Sequence, residues 1–293
     1  MPRLDRLITL YLSSPLARLF ASAGTNRIPI LTYHSISENL FGYSSPYYQI
    51  NTSPAVFSEQ MHWLRNAGYC TLNLPEALAG LDSGKDLSKA FVITFDDGYR
   101  DFYTEAMDVI RQCGFTATIF LATDRIGQTP ACIEGAHYLT WNEVRELHAE
   151  GIQFGSHTVT HPDLRSLDPS SLDYELGDSK EIIEQNIGAS VDAFSYPFGF
   201  PEEDANFARF LEDLLKNLGF EYGVSTILGR ARKNSNRFFL PRLPINSWDD
   251  KMLLQAKVHG GYDWLHLPQL LKKYIFHNNT IMQPASAQMR RTV

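Results

Sequence analysis

Two stretches carry side chains whose types and spacing suit chemistry: FVITFDDGYRDFY over residues 91–103 and FGSHTVTHPDL over residues 154–164. In the first, an apolar run that reads as a buried strand meets Asp96, Asp97 and Gly98. Consecutive side chains at a strand end point in different directions, so two adjacent carboxylates divide into one ligand and one base. Asp-Gly is also a common turn dipeptide, yet a turn alone gives no reason for two carboxylates behind an apolar strand. In the second stretch His157 and His161 stand four residues apart, close enough for both imidazoles to reach one side of a turn. Two neutral imidazoles and one carboxylate leave coordination positions open for water and substrate, the usual condition of a catalytic zinc or similar metal.

Such groups need elements to hold them. Short apolar runs over Pro29–Tyr33, Phe91–Phe95, Thr116–Leu121, Ile152–Gly155, Ala193–Tyr196, Tyr222–Thr226 and Phe238–Leu243 read as strands, with amphipathic segments between them. Ser53-Pro54 and Asp168-Pro169 each place a capping residue before a proline at the first helical position, and Thr140 with Glu143 makes a capping box. Gly68, Gly114, Gly151, Gly188 and Gly219 follow amphipathic runs, as left-handed helix ends require. Strands alternating with helices predict an α/β fold with a parallel sheet, open or closed. A closed barrel is preferred, because His34, Asp96-Asp97, His157 and Pro197-Phe198-Gly199 each follow a different strand. In a parallel barrel those ends open onto one face, where active sites sit.

The chain has 293 residues, 44% of them hydrophobic, enough for one large core. A net charge of -7 argues against nucleic acid or anionic lipid as the main partner. Cys70, Cys113 and Cys132 form neither a disulfide framework nor a cysteine zinc site. Residues 1–27 are expected to be an N-terminal amphipathic segment with Leu4, Ile8, Tyr11 and Leu12 on one face. Its apolar run from Leu7 to Leu12 is too short for a membrane span and a poor secretory signal. It is expected to dock on the domain or on a membrane surface. Residues 28–276 are assigned to one catalytic domain, and the polar tail 277–293 is expected to be disordered.

The motifs TFDDG (Thr94–Gly98) and SHTVTH (Ser156–His161), and more loosely YPFG (Tyr196–Gly199), resemble those of the polysaccharide deacetylases, carbohydrate esterase family 4 or the NodB homology domain. The resemblance covers residues 28–245. Its first two motifs, in this order and spacing, are specific. LTYHSI, LTW followed by Glu143, and the late PR are similar to the poly-N-acetylglucosamine deacetylase branch. The resemblance implies a distorted (β/α)7-type barrel, a divalent metal (zinc, with cobalt or nickel as alternatives) and hydrolysis of N-acetyl groups on exopolysaccharide-type sugars. It assigns Asp97, His157 and His161 to the metal and Asp96 to the general base. A backbone N–H near Phe198 would stabilise the oxyanion.

This chain departs from the pattern in two places. The third motif lacks the arginine that orients the catalytic aspartate, and Arg242 in FLPRLPI is the candidate to supply that charge. For the general acid, the implied choices are His34, which is preferred, and His259. Tyr196, Phe198 and Trp141 are candidate sugar contacts, together with Tyr138, Trp248 and the tyrosines at 43, 47 and 48. Alternative readings are a deacylase of another amide or ester, or a glycan-binding protein without turnover. A cytoplasmic or inner-membrane-associated enzyme is expected over a secreted one.

Overall fold

Runs of β-branched and aromatic residues pair readily as strands, and capping side chains such as Ser53, Thr140, Asp168 and Asp204 start most of the helices between them. In the computed structural model, which describes residues 3–19, 26–38, 49–128 and 137–281, seven such runs form β1 (Ile30–Tyr33), β2 (Ala90–Phe95), β3 (Thr118–Leu121), β4 (Gln153–Ser156), β5 (Ala193–Ser195), β6 (Tyr222–Leu228) and β7 (Leu240–Pro244). They are the seven expected from the sequence, with ends moved by a residue or two. All pair in parallel, in the order β1-β7-β6-β5-β4-β3-β2, and β2 returns to β1 with Ile30 facing Val92. The result is the expected closed α/β barrel in a single domain. Its distortion is local: the β6–β7 register shifts between Val224 and Leu228, and β4 meets β5 only at Ser156 and Phe194.

Around the barrel run α1 (Leu4–Ile8, a π-helical turn Thr9–Ser13, and Ser14–Leu19), α2 (Pro54–Asn66), α3 (Leu74–Ser83), α4 (Met107–Cys113), α5 (Trp141–Ala149), α6 (Pro169–Ile187), α7 (Ala205–Asn217), α8 (Lys251–Val258) and α9 (His266–Ile281). Ser53 and Asp168 cap α2 and α6 through the backbone N–H groups of Val56 and Ser171, and Thr140 with Glu143 forms the expected capping box on α5. The five glycines expected at helix ends all have positive φ. Cys70 and Cys113 are unpaired, and Cys132 lies outside the described residues.

The two-residue period of a strand divides its side chains between two layers. Tyr33, Phe91, Ile93, Phe95, Ile119 and Leu121 face outward and pack under the helices. Ile30, Val92, Phe120, Val224 and Leu240 belong to a second cluster inside the barrel, closed by Leu74, Leu78 and Leu81 of α3. Gly155 makes room for one of these: a Cβ there would lie 2.5 Å from the Phe120 ring. Continuing the same period toward the C-terminal strand ends places Thr94, Asp96, Ser195 and Arg242 on the inner side.

α1 covers most of the expected N-terminal segment and is tied down by Arg6 to Asp250 and Asp5 to Tyr262. α9 runs to Ile281, so its last turn enters the segment expected to be disordered, and residues 282–293 lie outside the described ones. No helix among the described residues is long and apolar enough to cross a membrane.

Candidate active site

Four non-glycine residues among those described have positive φ: Asp97 (74°), Thr158 (71°), His161 (63°) and Phe198 (55°). All four follow the C-terminal ends of β2, β4 or β5. Conformations of this kind cost free energy and persist where the surroundings impose them, which concentrates them at functional sites. A β-branched threonine in this region is the least comfortable of the four.

Asp97, His157 and His161 each turn one potential ligand atom into a common space, with all these atoms within 4.8 Å of one another. Asp97 Oδ1 lies 3.2 Å from His161 Nε2 and 3.7 Å from His157 Nε2. That oxygen is buried without a hydrogen-bond partner, a costly condition that a cation would relieve. His157 is oriented from behind, its Nδ1 lying 2.7 Å from the Ser195 carbonyl oxygen. With the proton on Nδ1, Nε2 is left as a lone pair facing Asp97, the tautomer a metal needs. Burial pushes the His157 imidazole down to about 4, so it is neutral at physiological pH. For Asp97 burial acts upward, but the facing His161, His34 and His157 outweigh it and hold the carboxyl well below its ordinary range. A buried carboxylate with two imidazoles is a donor set that fits zinc or a similar divalent ion.

Asp96 points the other way and has a different set of partners. Arg242 grips it with two hydrogen bonds of 2.8 Å, Nη1 to Oδ1 and Nη2 to Oδ2. Arg242 is itself fixed by donating from Nε to the Ser225 carbonyl (3.0 Å) and from Nη2 to the Ser195 hydroxyl (3.1 Å), and Ser195 donates to Asp96 (3.3 Å). Burial raises the Asp96 carboxyl and Arg242 lowers it further still, leaving it ionised below its ordinary value. The missing third-motif arginine is thus matched in space by one from β7. His34, at the end of β1, brings Nε2 within 4.0 Å of Asp96 Oδ2 and is partly exposed.

The histidine loop is braced by a residue the sequence reading passed over. Glu175, buried on α6, accepts from the backbone N–H groups of Val159 and Thr160 (2.9 Å each) and from the Thr160 hydroxyl (2.6 Å). Thr158 Oγ1 in turn accepts from the His161 N–H at 2.9 Å. Arg125 also went unremarked: it stands 3.6 Å from Asp97 Oδ1 and donates to Tyr138, which stacks on Tyr99. A glutamate inside an amphipathic helix and an arginine in a loop carry no local signal, since their roles depend on distant chain.

The candidate sugar contacts divide. Phe198 is 57% exposed and packs edge-on against His161 with ring centroids 4.7 Å apart, at the mouth of the site. Tyr196 is a correction: it is fully buried among Phe194, Phe200 and Phe239, because a strand-end residue of that parity faces the helices. Trp141 opens α5 and packs partly buried against the core. Tyr138 is buried in the stack with Tyr99, Trp248 is exposed, and tyrosines 43, 47 and 48 lie outside the described residues. His259 ends α8 and shares a 3.0 Å hydrogen bond with the Tyr69 hydroxyl, apart from the two aspartates.

An α/β barrel whose strand ends gather a carboxylate-and-two-histidine cluster beside an arginine-held aspartate belongs to the class of barrel hydrolases. The polysaccharide deacetylase family profile matches residues 83–223. YxkH of Bacillus subtilis (strain 168), a polysaccharide deacetylase by its name, is 33% identical over 224 residues, spanning 75% of this chain and 72% of its own. A poly-beta-1,6-N-acetyl-D-glucosamine N-deacetylase of Staphylococcus aureus (strain MRSA252) is 26% identical over 208 residues, 67% of this chain and 68% of that one. The structure of Streptococcus pyogenes deacetylase PplD in complex with acetate superimposes with a TM-score of 0.67 at 26% identity, covering 79% of this chain and 98% of that one. The chain belongs to the polysaccharide deacetylase family, hydrolases of carbon–nitrogen bonds other than peptide bonds.

Proposed function

We propose that this protein removes acetyl groups from the N-acetylglucosamine units of an exopolysaccharide-type glycan, with Asp97, His157 and His161 holding a divalent ion and Asp96 acting as general base. The observation that carries the reading is the division between the two adjacent aspartates. Asp97 Oδ1 has no donor of its own and faces two histidines, whereas both Asp96 oxygens are held by Arg242. The similarity to the Staphylococcus aureus enzyme favours N-acetylglucosamine as the sugar.

A divalent ion bound there supplies acidified water and polarisation of the acetamide carbonyl. Asp96 accepts the proton of the attacking water; Arg242 keeps it ionised and fixes its direction. His34, on the same face and partly exposed, protonates the leaving amine, which departs as the glucosamine nitrogen while acetate is released. Phe198 forms an apolar wall against which the acetyl group or sugar ring rests.

The test is acetate release from N-acetylglucosamine oligomers by purified protein, with and without chelator and added zinc. Zinc-restored release supports the reading. Absence of release from metal-loaded protein overturns the substrate, and release that is indifferent to chelator overturns the metal.

A further inference from the structure

α1 is inverted for a helix in water. Its inward side is polar: Asp5 and Thr9 are 2% and 0% exposed, and Ser14 is also buried. Asp5 accepts from the Tyr262 hydroxyl at 2.9 Å, and Thr9 Oγ1 accepts from Trp264 Nε1 at 3.1 Å. Ser14 sits so close to Gly261 that a Cβ there would come within 2.9 Å of the serine Cβ. The outward side is apolar, with Leu4, Tyr11 and Leu19 at 66%, 73% and 79% exposure and Ile8, Leu12 and Leu16 also open. A surface helix of a water-soluble domain hides its apolar stripe and shows its polar one. Here the specific inward hydrogen bonds, and the bidentate contact of Arg6 with Asp250 at 2.7 and 2.9 Å, fix the opposite orientation.

We propose that this face is a membrane-docking surface, with α1 lying in the plane of a bilayer interface and lipid acyl chains as its occupant. Apart from Tyr11 the stripe is aliphatic and mostly leucine, whereas protein hot spots rely on tryptophan, tyrosine and arginine and use leucine sparingly. Between α1 and Trp264 lies an apolar groove of about 340 Å³, lined by Ile8, Leu12, Leu16 and Ala17, with Ser13 as its polar member. The indole there has an apolar ring on the groove and a satisfied N–H, the arrangement tryptophan takes at a membrane interface. A second outward stripe, Leu267, Leu271, Tyr274 and Ile275 of α9, begins just past Trp264.

The attraction is apolar rather than electrostatic: Arg3 is paired with Asp5, Arg6 with Asp250 and Lys273 with Glu202, so these cations are held within the protein. At 16 residues α1 is too short to span a bilayer, so the fit is to its surface. Arg6 pins the first turn to Asp250, just beyond the exposed Trp248 on the loop that follows β7. The stripe therefore starts at the rim of the catalytic face, and a glycan at the membrane would meet the strand ends directly.

The experiment is co-sedimentation of the full chain with vesicles of phosphatidylethanolamine and phosphatidylglycerol, comparing the native protein with the variant Leu4→Gln, Tyr11→Gln, Leu19→Gln. The native protein should pellet with the vesicles and the variant about tenfold less. Acetate release from soluble oligomers should be equal in the two, so a wrong substrate assignment leaves the vesicle result intact. Native protein that stays in the supernatant, or a variant that pellets equally, overturns the proposal. So does a solution dimer that the same substitutions abolish, which would give the stripe to a second copy of the chain.

Discussion

Arg242 of β7 and Asp96 of β2, 146 positions apart in the chain, form a two-pronged ion pair with both nitrogen–oxygen distances at 2.8 Å and both side chains almost fully buried. Arg242→Ala leaves a carboxylate buried without its partner, a loss of about 3–5 kcal/mol of stability. Arg242→Lys keeps the charge but not the fork, so it should recover part of the stability and less of the turnover. Urea denaturation alongside steady-state acetate release separates the two effects; an Arg242→Ala protein of native stability would contradict the pairing.

The two neighbouring aspartates should fail differently. Asp97→Ala removes a ligand and should abolish both zinc binding and activity. Asp96→Asn should retain stoichiometric zinc while turnover falls by about 10²–10⁴-fold. Metal content after dialysis, measured on each purified variant, decides it, and equal metal loss in both would reverse the division of roles.

Glu175 touches no candidate ligand, yet three of its contacts hold the loop between His157 and His161. Glu175→Ala should strand two backbone donors, at about 1–3 kcal/mol each, and weaken zinc binding by about 10–100-fold. Zinc titration calorimetry reads the second effect. Unchanged affinity would mean that the loop keeps its shape unaided.

For the two histidines, His34→Gln should lower acetate release by about 10²-fold or more, as loss of a general acid does. His259→Gln should leave release unchanged and lower only the melting temperature, because its partner is Tyr69. The reverse pattern would transfer the acid role to His259.

Asp101 lies behind the site, where burial raises its carboxyl to about 6 and the Ser35 hydroxyl donates to it at 2.5 Å. Between the ordinary carboxylate value and about 6 the folded state binds a proton that the unfolded state has released. Asp101 therefore makes stability fall as pH rises through that window, by about 3 kcal/mol, with no further change above it. Asp101→Asn should remove this slope. Thermal melts at pH 4 to 7 test it as the difference between native and variant, which cancels the carboxylates of opposite sign. Parallel curves would show that the shift is absent.

Much of this protein was legible in the chain because the relevant signals are local. Strand runs, capping pairs such as Thr140 with Glu143, and glycine helix ends report on their own neighbours within a few residues, and all seven barrel strands followed from them. Asp96-Asp97 and His157-x-x-x-His161 were equally plain, since each pair stands directly behind a strand whose end had to reach one face. Closure of the barrel decided the rest, by bringing together side chains with no sequence relation. It set Arg242 on Asp96, packed Tyr196 against Phe239, and placed Glu175 under the histidine loop. The orientation of α1 was likewise beyond the sequence: Leu4, Ile8, Tyr11 and Leu12 mark a face, but only the partners Tyr262, Trp264 and Asp250 determine that this face turns outward.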